Sequence, residues 1–196
     1  MNASANLSPQ IVWKNFYDLT QIPRPSKFEL EAAKYICDFG KNLGLESFQD
    51  EVGNVIIRKP ATPGMEDRMG IILQAHIDMV PQKNNDVEHD FKKDPIRPYL
   101  DGGWLKAQGT TLGADNGVGV AAAMAILADK TLKHGPVNCL FTIDEETGLT
   151  GAAALSPELL QGDILINLDS EDEGEIFIGC AGGVCNYAEF KHSWVD

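Results

Sequence analysis

A histidine and several carboxylates follow directly after three short apolar runs of the sequence. GIILQA leads into His76-Ile77-Asp78, VNCLFTI into Asp144-Glu145-Glu146, and DILINL into Asp169-Ser170-Glu171. A further acid, Asp115, lies in TTLGADNG, where an alanine-rich segment begins. Imidazole nitrogen together with carboxylate oxygen suits zinc, with cobalt or manganese as alternatives. These residue types predict a site for divalent metal ions.

The apolar runs are predicted to be neighbouring strands of one sheet. Four such runs are short and bounded by glycine, proline or charge: 54–59, 70–75, 137–143 and 163–168. Helical segments at 118–128 and 148–162 alternate with them. This alternation predicts an α/β fold with a mostly parallel mixed sheet and helices on both faces. Because loops converge at the carboxyl ends of parallel strands, the histidine and the acids are expected to meet at one sheet edge.

Elements at both ends of the chain complete this prediction. Residues 9–22 have apolar side chains at helical spacing, and a second helix is predicted to begin with a capping box formed by Ser26 and Glu29. Gly44 is expected to end that helix. Residues 174–196 predict one more strand, a glycine turn and the beginning of another strand.

Composition excludes several classes of partner. The formal net charge is −13, which disfavours nucleic acid and anionic membrane surfaces. No apolar stretch reaches the roughly 18 residues that a membrane helix needs, and the amino terminus does not resemble a secretory signal. The four cysteines form no C-x-x-C pair. Free thiols and a cytoplasmic location are therefore expected.

Each candidate residue also has a simpler explanation. Asp115 could cap a helix, the other acids could be solvated loop charges, and His76 could be a satisfied core histidine. Together, however, the acids would repel one another at one edge unless positive charge lay among them. Three carboxylates and a bridging hydroxide carry four negative charges, which two divalent ions balance. Of Glu145 and Glu146, one could bind metal while the other accepts a proton from water; the sequence leaves open which.

One motif of the sequence is typical of a different function, dinucleotide binding. Residues 117–122, GVGVAA, fit the dinucleotide fingerprint G-x-G-x-x-A. The fingerprint requires an apolar strand immediately before it and an acid about 20 residues later, and neither is present. The small residues are instead expected to let this helix pack closely on the sheet.

Four segments resemble the metal-site motifs of the aminoacyl-histidine (Xaa-His) dipeptidases. They are QAHIDMV, TTLGADNGVGVA, TIDEETGLTGA and INLDSEDEGEIFIGCAGG. These enzymes are members of the di-zinc peptidase group that includes carboxypeptidase G, aminoacylase and acetylornithine deacetylase. The resemblance covers essentially the whole chain, and DEETG with NLDSEDEG favours the dipeptidase branch over the deacetylases.

The resemblance implies a set of metal ligands. His76 and Asp169 would bind the first metal, and Glu146 would bind the second. Asp115 would bridge both ions, and the bond between Asp115 and Asn116 is often cis in this family. The implied cofactors are two divalent ions, most simply zinc.

The resemblance also implies the reaction and the catalytic residues. The full-length protein would hydrolyse dipeptides, with histidine as the expected C-terminal residue, through a metal-bridging hydroxide. Glu145 would act as the general acid/base, and Asp78 would support the metal-binding imidazole. A small peptide is the implied substrate, and a homodimer is the implied assembly.

Members of the family are considerably longer than this chain. Residues 1–182 correspond to the N-terminal part of the catalytic domain, and residues 183–196 to the start of an inserted lid and dimerisation domain. A last metal-binding histidine and an oxyanion-stabilising histidine lie beyond these segments in the family. His89, His134 and His192 match no ligand motif and are interpreted as surface or packing residues. The chain alone is therefore expected to be inactive.

Two alternatives remain open at this point. One is a related di-zinc aminopeptidase or deacetylase that acts on tripeptides or N-acyl amino acids. The other is a non-catalytic module whose acidic edge binds cations or docks a partner.

Overall fold

A mixed β-sheet forms the centre of the molecule. The structure, a computed structural model, describes residues 7–170, 172–180, 182 and 187–192. The strands are β1 (Glu46–Gln49), β2 (Val55–Lys59), β3 (Ile71–His76), β4 (Pro98–Asp101), β5 (Trp104–Ala107), β6 (Val137–Thr142) and β7 (Ile164–Asn167). The helices are α1 (Gln10–Thr20), α2 (Leu30–Asn42), α3 (Ala114–Ala128) and α4 (Thr150–Ala153), with a 3-10 turn at Pro157–Leu159.

The central sheet has five strands in the order β1-β2-β6-β3-β7. Strand β3 pairs in parallel with both β6 and β7, whereas β1–β2 and β2–β6 are antiparallel. The three strands that precede the candidate site residues are thus adjacent and point in the same direction. The predicted α/β class with a mixed sheet is confirmed, and so is the expectation of one shared carboxyl edge.

The two faces of the sheet are covered differently. Alternate residues of β2, β3 and β6 pack against α1, α2 and α3 in one large core that contains Leu19, Ile36, Leu73, Met124 and Phe141. On the opposite face, Ile56, Ile72 and Leu140 form a small cluster with Phe48, Leu155 and Leu159. All three long helices therefore lie on one face, and the predicted helical cover of the second face is reduced to the 155–159 segment.

The ends of α2 show one confirmed prediction and one error. Gly44 has φ +75, and the N–H groups of Gly44 and Leu45 donate to the carbonyls of Lys41 and Gly40, which is the Schellman ending expected of a C-terminal glycine. The capping box, however, is wrong. Helix α2 begins only at Leu30, and no side chain caps it. Ser26 and Glu29 instead bond to loops at the sheet edge.

Several other segments depart from the prediction. The short strand β1 and the β4–β5 hairpin were not expected from the sequence. The predicted helix at 148–162 is only one turn of α4 followed by the 3-10 turn. Within 172–180 no strand forms, and Ile176 and Ile178 are fully exposed because no described strand lies beside them. The proposed boundary at 182–183 stays a prediction, since most of 183–196 lies outside the described residues.

Among the described residues, no helix is long and apolar enough to cross a membrane.

Candidate metal centre

The predicted site residues meet at the carboxyl edge of the parallel strands. His76 is the last residue of β3, Glu145 and Glu146 follow β6, and Asp169 follows β7. Asp115 comes from the first turn of α3, where φ and ψ of Asp115 and Asn116 are not helical. Asp115 does not cap the helix, because its carboxylate points to the imidazole of His76. The arrangement therefore combines three strand ends and one helix start.

Carboxylates surround one nitrogen of a buried imidazole. His76 Nε2 lies 2.9 Å from Asp115 Oδ1 and 3.5 Å from Asp169 Oδ1. Glu145 Oε2 lies 4.0 Å from the same nitrogen. Two ligands of a tetrahedral zinc ion are separated by about 3.3 Å, since each zinc–ligand bond is about 2.0–2.1 Å. The distances from His76 Nε2 to Asp115 and to Asp169 are each close to that between two ligands of one zinc ion.

Two overlapping groups of residues could hold metal. One combines His76, Asp115 and Glu146, and the other combines His76, Glu145 and Asp169; in each group the ligand atoms lie within 4.8 Å of one another. Because both groups contain His76, Glu145 and Glu146 both lie close to the same imidazole. The donor set is one nitrogen with carboxylate oxygens and lacks cysteine, which fits a catalytic rather than a structural zinc site.

Asp78 lies behind the imidazole and is completely buried. Its Oδ1 is 3.3 Å from His76 Nδ1 and accepts the backbone N–H of Glu145 at 3.0 Å. Its Oδ2 accepts the hydroxyl of Ser26 at 2.8 Å and the backbone N–H of Glu146 at 3.2 Å. A single carboxylate therefore contacts the imidazole and the backbone of both candidate glutamates.

The peptide bond between Asp115 and Asn116 is cis, as the family resemblance implied. The side-chain amide of Asn116 donates to Asp169 Oδ1. Asn116 is itself buried in the first turn of α3. The bridging candidate Asp115 and the strand-end ligand Asp169 are thus connected through the residue that follows Asp115.

The protonation of the centre is strongly shifted. Burial alone would lower the pKa of His76, but the carboxylates of Asp169, Asp78 and Asp115 outweigh it and raise the pKa to about 10. Burial would likewise raise the pKa of Asp78, yet the His76 contact and its hydrogen-bond donors lower it to about 2. In the absence of metal, a protonated imidazole supplies the positive charge that the carboxylates require.

The two glutamates differ from Asp78 and Asp169 in the direction of their pKa shifts. Burial raises the pKa of Glu145, and the nearby carboxylates of Asp169 and Asp78 add to this. The pKa of Glu146 is also raised, first by burial and then by Asp115. Contact with His76 lowers the pKa of Asp169. A carboxylate with a raised pKa is better suited to accept and return a proton at neutral pH.

The loop that carries the glutamates is held by contacts that the sequence did not predict. Asp144 adopts φ +50, and its carboxylate accepts the hydroxyls of Thr147 and Thr150. Its backbone N–H donates to Glu29 Oε1 at 3.0 Å. Glu29, Asp78 and Asp144 form a third buried acidic group, whose oxygens are bonded to these N–H and O–H donors. Glu29 and Asp144 are more than a hundred residues apart in the sequence, so no local pattern indicates that they are bonded.

The remaining histidines and cysteines lie outside the centre. The ring of His89 packs edge-on against Phe91. His134 Nδ1 lies 2.7 Å from the carbonyl oxygen of Gly135. Among the described residues, no group that could hold a metal includes either of these or His192. Cys37, Cys139 and Cys180 are free thiols, as predicted, and Cys185 lies outside the described residues.

The glycines of the dinucleotide-like motif are explained by packing. A Cβ atom on Gly117 would lie 2.6 Å from Arg24 Nη2 and 2.9 Å from the ring of Phe16. A Cβ atom on Gly119 would lie 1.9 Å from Asn116 Oδ1 and 3.0 Å from the carbonyl oxygen of Leu168. Close approach is confirmed, although Gly117 faces α1 and the following linker rather than the sheet.

Comparison with known proteins assigns the family. The model of peptidase family M20/M25/M40 matches residues 72–184, which is more than half of the chain and includes every candidate site residue. The chain belongs to peptidase family M20/M25/M40. The fold of this M20/M25/M40 chain is also that of solved peptidases, as the structural comparisons show.

Two relatives of this M20/M25/M40 chain are closely similar to it. It is 56% identical over 184 residues to the cytosol non-specific dipeptidase of Escherichia coli, covering 94% of this chain and 38% of the relative. The crystal structure of an aminoacylhistidine dipeptidase from Vibrio alginolyticus matches with a TM-score of 0.88 and 55% identity, covering 90% of this chain and 36% of that one.

A more distant structure shares the fold. The aminopeptidase PepT from Bacillus cereus matches with a TM-score of 0.70 and 28% identity, covering 85% of this chain and 44% of that one. This M20/M25/M40 chain therefore spans less than half the length of all three proteins.

Proposed function

We propose that the full-length protein containing this chain is a metal-dependent dipeptidase. One observation carries the proposal: His76 Nε2 lies within 4.0 Å of carboxylate oxygens from Asp115, Asp169 and Glu145, at the edge where three parallel strands end. Family membership supports peptide hydrolysis, and the names of both close relatives support a dipeptide substrate. The non-catalytic cation-binding module is disfavoured on the same grounds.

The proposed cofactors are two divalent ions, with zinc as the first choice. His76, Asp115 and Asp169 would hold one ion, and Asp115 with Glu146 would contribute to the second. When bound, such ions polarise a peptide carbonyl and lower the pKa of water. The ligand spacing around His76 and the absence of cysteine from the donor set support this assignment.

Glu145 is the proposed general acid/base. It accepts the proton of the attacking water and then donates that proton to the leaving amine, so the carboxylate is regenerated at the end of the cycle. Burial raises its pKa, which favours this exchange near neutral pH. Asp78 fixes the Glu145 backbone and faces His76 Nδ1, so it acts by positioning both groups.

Dipeptides with C-terminal histidine are proposed as one substrate class. The Vibrio relative is named for aminoacylhistidine, whereas the E. coli relative is named non-specific. We therefore expect Xaa-His to be hydrolysed among other dipeptides. Cytoplasmic location is proposed on the name of the E. coli relative, and a homodimer remains a prediction of the family resemblance.

The 196-residue chain alone is proposed to be inactive. With His76 assigned to the first ion, Asp115 and Glu146 are the ligands that the described residues of that group leave for the second ion. Two protein ligands do not make a tight zinc site, whereas three do. The chain is therefore expected to bind one ion more tightly than the other.

The test compares two neighbouring glutamates in the full-length protein. Glu145→Gln should lower kcat for a Xaa-His dipeptide by several orders of magnitude and leave the metal content near that of the unaltered protein. Glu146→Gln should lower the metal content itself. Hydrolysis and metal content are measured on the same samples. Metal binding without dipeptide hydrolysis in the unaltered protein would favour the non-catalytic module, and tripeptide or N-acyl cleavage alone would favour the related enzymes.

A further inference from the structure

Among the residues that the structure describes, Arg24 is the largest completely buried side chain, with an exposed fraction of 1%. It lies between Pro23 and Pro25 in the linker that joins α1 to α2. Burying a guanidinium is unfavourable unless its donors are satisfied. The guanidinium must therefore have hydrogen-bond acceptors inside the protein, and the linker sequence does not indicate which groups these are.

The guanidinium of Arg24 bonds to main-chain carbonyls of two separate segments. Nη1 donates to the carbonyl oxygen of Ile77 at 2.6 Å and to that of Asp78 at 3.0 Å. Nη2 donates to the carbonyl oxygen of Gly113. The first two carbonyls directly follow His76, and the third lies two residues before Asp115. One side chain thus joins the two segments that carry the candidate ligands.

The main chain around Arg24 strengthens the same connection. The carbonyl oxygen of Arg24 accepts the N–H of Met79 at 3.1 Å, and Pro25 forms a parallel β-bridge with Met79. Two residues farther along the chain, the Ser26 hydroxyl donates to Asp78 Oδ2. The linker therefore holds residues 77–79 through both its backbone and its side chains.

Two glycines near the start of α3 leave room for the guanidinium of Arg24. A Cβ atom on Gly113 would lie 2.5 Å from Arg24 Nη2, and one on Gly117 would lie 2.6 Å from it. Gly113 also has φ +70, so a larger residue would be strained there. Both glycines flank the Asp115-Asn116 pair, which places the buried cation directly beneath the turn that presents Asp115.

We infer that Arg24 is a positioning residue of the metal centre: its guanidinium fixes the Asp115 turn relative to the segment that carries His76 and Asp78. The inference rests on the proposed function, because it concerns the same site. It adds a residue from the α1–α2 linker that belongs to none of the metal-site motifs.

The charge of Arg24 also contributes to the centre. Burial lowers its pKa to about 10, and the negative charges of Asp78 and Asp115 oppose this shift. The side chain therefore remains a cation at neutral pH and supplies a buried positive charge that is attracted to both carboxylates. A lysine would keep the charge, but its single ammonium cannot reproduce the planar fork that spans two segments.

The test uses Arg24→Lys in the full-length protein, with Arg68→Lys as the matched control because Arg68 is mostly exposed. Zinc affinity is measured by competition with a chelator, and the visible spectrum of the cobalt-substituted protein reports ligand geometry. Arg24→Lys should weaken zinc binding by about tenfold or more, as for other residues that orient ligands, and should change the cobalt spectrum. Arg68→Lys should change neither.

A second variant displaces the guanidinium without removing it. Gly117→Ala places a methyl group against Arg24 Nη2 and should change the cobalt spectrum in the same direction as Arg24→Lys. Folded Arg24→Lys protein with unaltered zinc affinity and spectrum would overturn the inference. Failure of both variants to fold, even with saturating zinc, would assign Arg24 a general folding role and would also overturn it. Absence of metal binding in the unaltered protein would instead reject the proposed function.

Discussion

Asp78 and Glu145 are joined by a hydrogen bond from the Glu145 backbone N–H to Asp78 Oδ1, at 3.0 Å. The same oxygen lies 3.3 Å from His76 Nδ1. The end of β3 and the loop after β6 are thus fixed by one buried carboxylate. The orientation of a metal-binding imidazole and the position of the general acid/base cannot vary independently, because both depend on Asp78.

Substitution of Asp78 tests this coupling. Asp78→Asn keeps the size of the side chain but replaces one acceptor oxygen by an amide, so one backbone N–H loses its partner. We expect zinc affinity to fall by about 10- to 100-fold and kcat to fall as well when metal is saturating. Chelator competition and steady-state kinetics measure the two effects separately.

Asp163→Asn provides the matched control. Asp163 Oδ2 accepts the N–H of Gly70 at 2.7 Å, at the start of the strands and so at the end of the sheet opposite to the metal centre. Its replacement should leave zinc affinity unchanged. If Asp78→Asn lost only kcat and bound zinc normally, the proposed support of His76 by Asp78 would be wrong.

Metal binding is predicted to release a proton from His76. Its pKa is raised from 6.5 to about 10 in the metal-free protein, so the ring is protonated at pH 7.5. A metal ion binds the neutral ring, and affinity should therefore increase with pH up to about 10. In the metal-free protein, the stability due to protonated His76 is complete below pH 6.5 and is lost as the pH rises through about 10.

Calorimetric titration with zinc in buffers of different ionisation enthalpy counts the released protons. His76→Ala is the control and should release fewer protons than the unaltered protein at pH 7.5. Equal release from both proteins would show that His76 is not the source and would remove it from the ligand set.

Gly119 is predicted to leave the space that Asn116 needs to hold the candidate ligand Asp169 in place. A methyl group there would lie 1.9 Å from Asn116 Oδ1, and Asn116 donates to Asp169. Gly119→Ala should therefore displace Asn116, weaken zinc binding and lower the free energy of unfolding by about 1–3 kcal/mol, as overpacking generally does. Chemical denaturation and chelator competition provide both values.

The control is Gly179→Ala, because a Cβ atom at Gly179 meets nothing within 4 Å. It should change neither zinc affinity nor stability. Normal zinc binding by Gly119→Ala would show that the Asn116–Asp169 hydrogen bond does not position the ligand.

The sequence was sufficient to predict the location of residues that lie at the ends of parallel strands. His76, Glu145, Glu146 and Asp169 follow apolar runs, and parallel pairing of those runs places strand ends at one edge without further information. The sheet class could be predicted for the same reason. The two ends of α2 differ in what the sequence could predict. Gly44 ends the helix through a hydrogen bond within its own turn, which local sequence can predict. The hydrogen bond of Ser26 goes to Asp78, which local sequence cannot predict.

Residues whose partners are distant in sequence could not be found in this way. Ser26 and Glu29 have the spacing of a capping box, but the Ser26 hydroxyl donates to Asp78, and Glu29 Oε1 accepts the backbone N–H of the distant Asp144 as well as that of Lys27. Arg24 resembles any exposed basic residue of a linker until tertiary structure surrounds it with carbonyl groups. At these positions long-range hydrogen bonds outweigh the local preference for a helix cap or an exposed linker residue. A single sequence does not show which distant residues form such bonds.

The cysteines offer an independent test of the fold. Cys139 is completely buried in β6, and burial raises the pKa of its thiol to about 12. Cys180 is exposed. Because the thiolate is the reactive form, iodoacetamide at pH 8 should label Cys180 rapidly and Cys139 only after unfolding. Mass spectrometry of native and denatured samples gives the rates. Equal labelling of the two cysteines in native protein would contradict the position of β6 at the centre of the sheet.

The most direct test of the proposed metal centre is anomalous diffraction at the zinc edge from crystals of the full-length protein grown with zinc. We expect zinc peaks bounded by His76, Asp115 and Asp169, and by Asp115 with Glu146, if this metal centre is correct. Peaks at other sites only, with His76 Nε2 still bonded to Asp115 in zinc-saturated crystals, would contradict it.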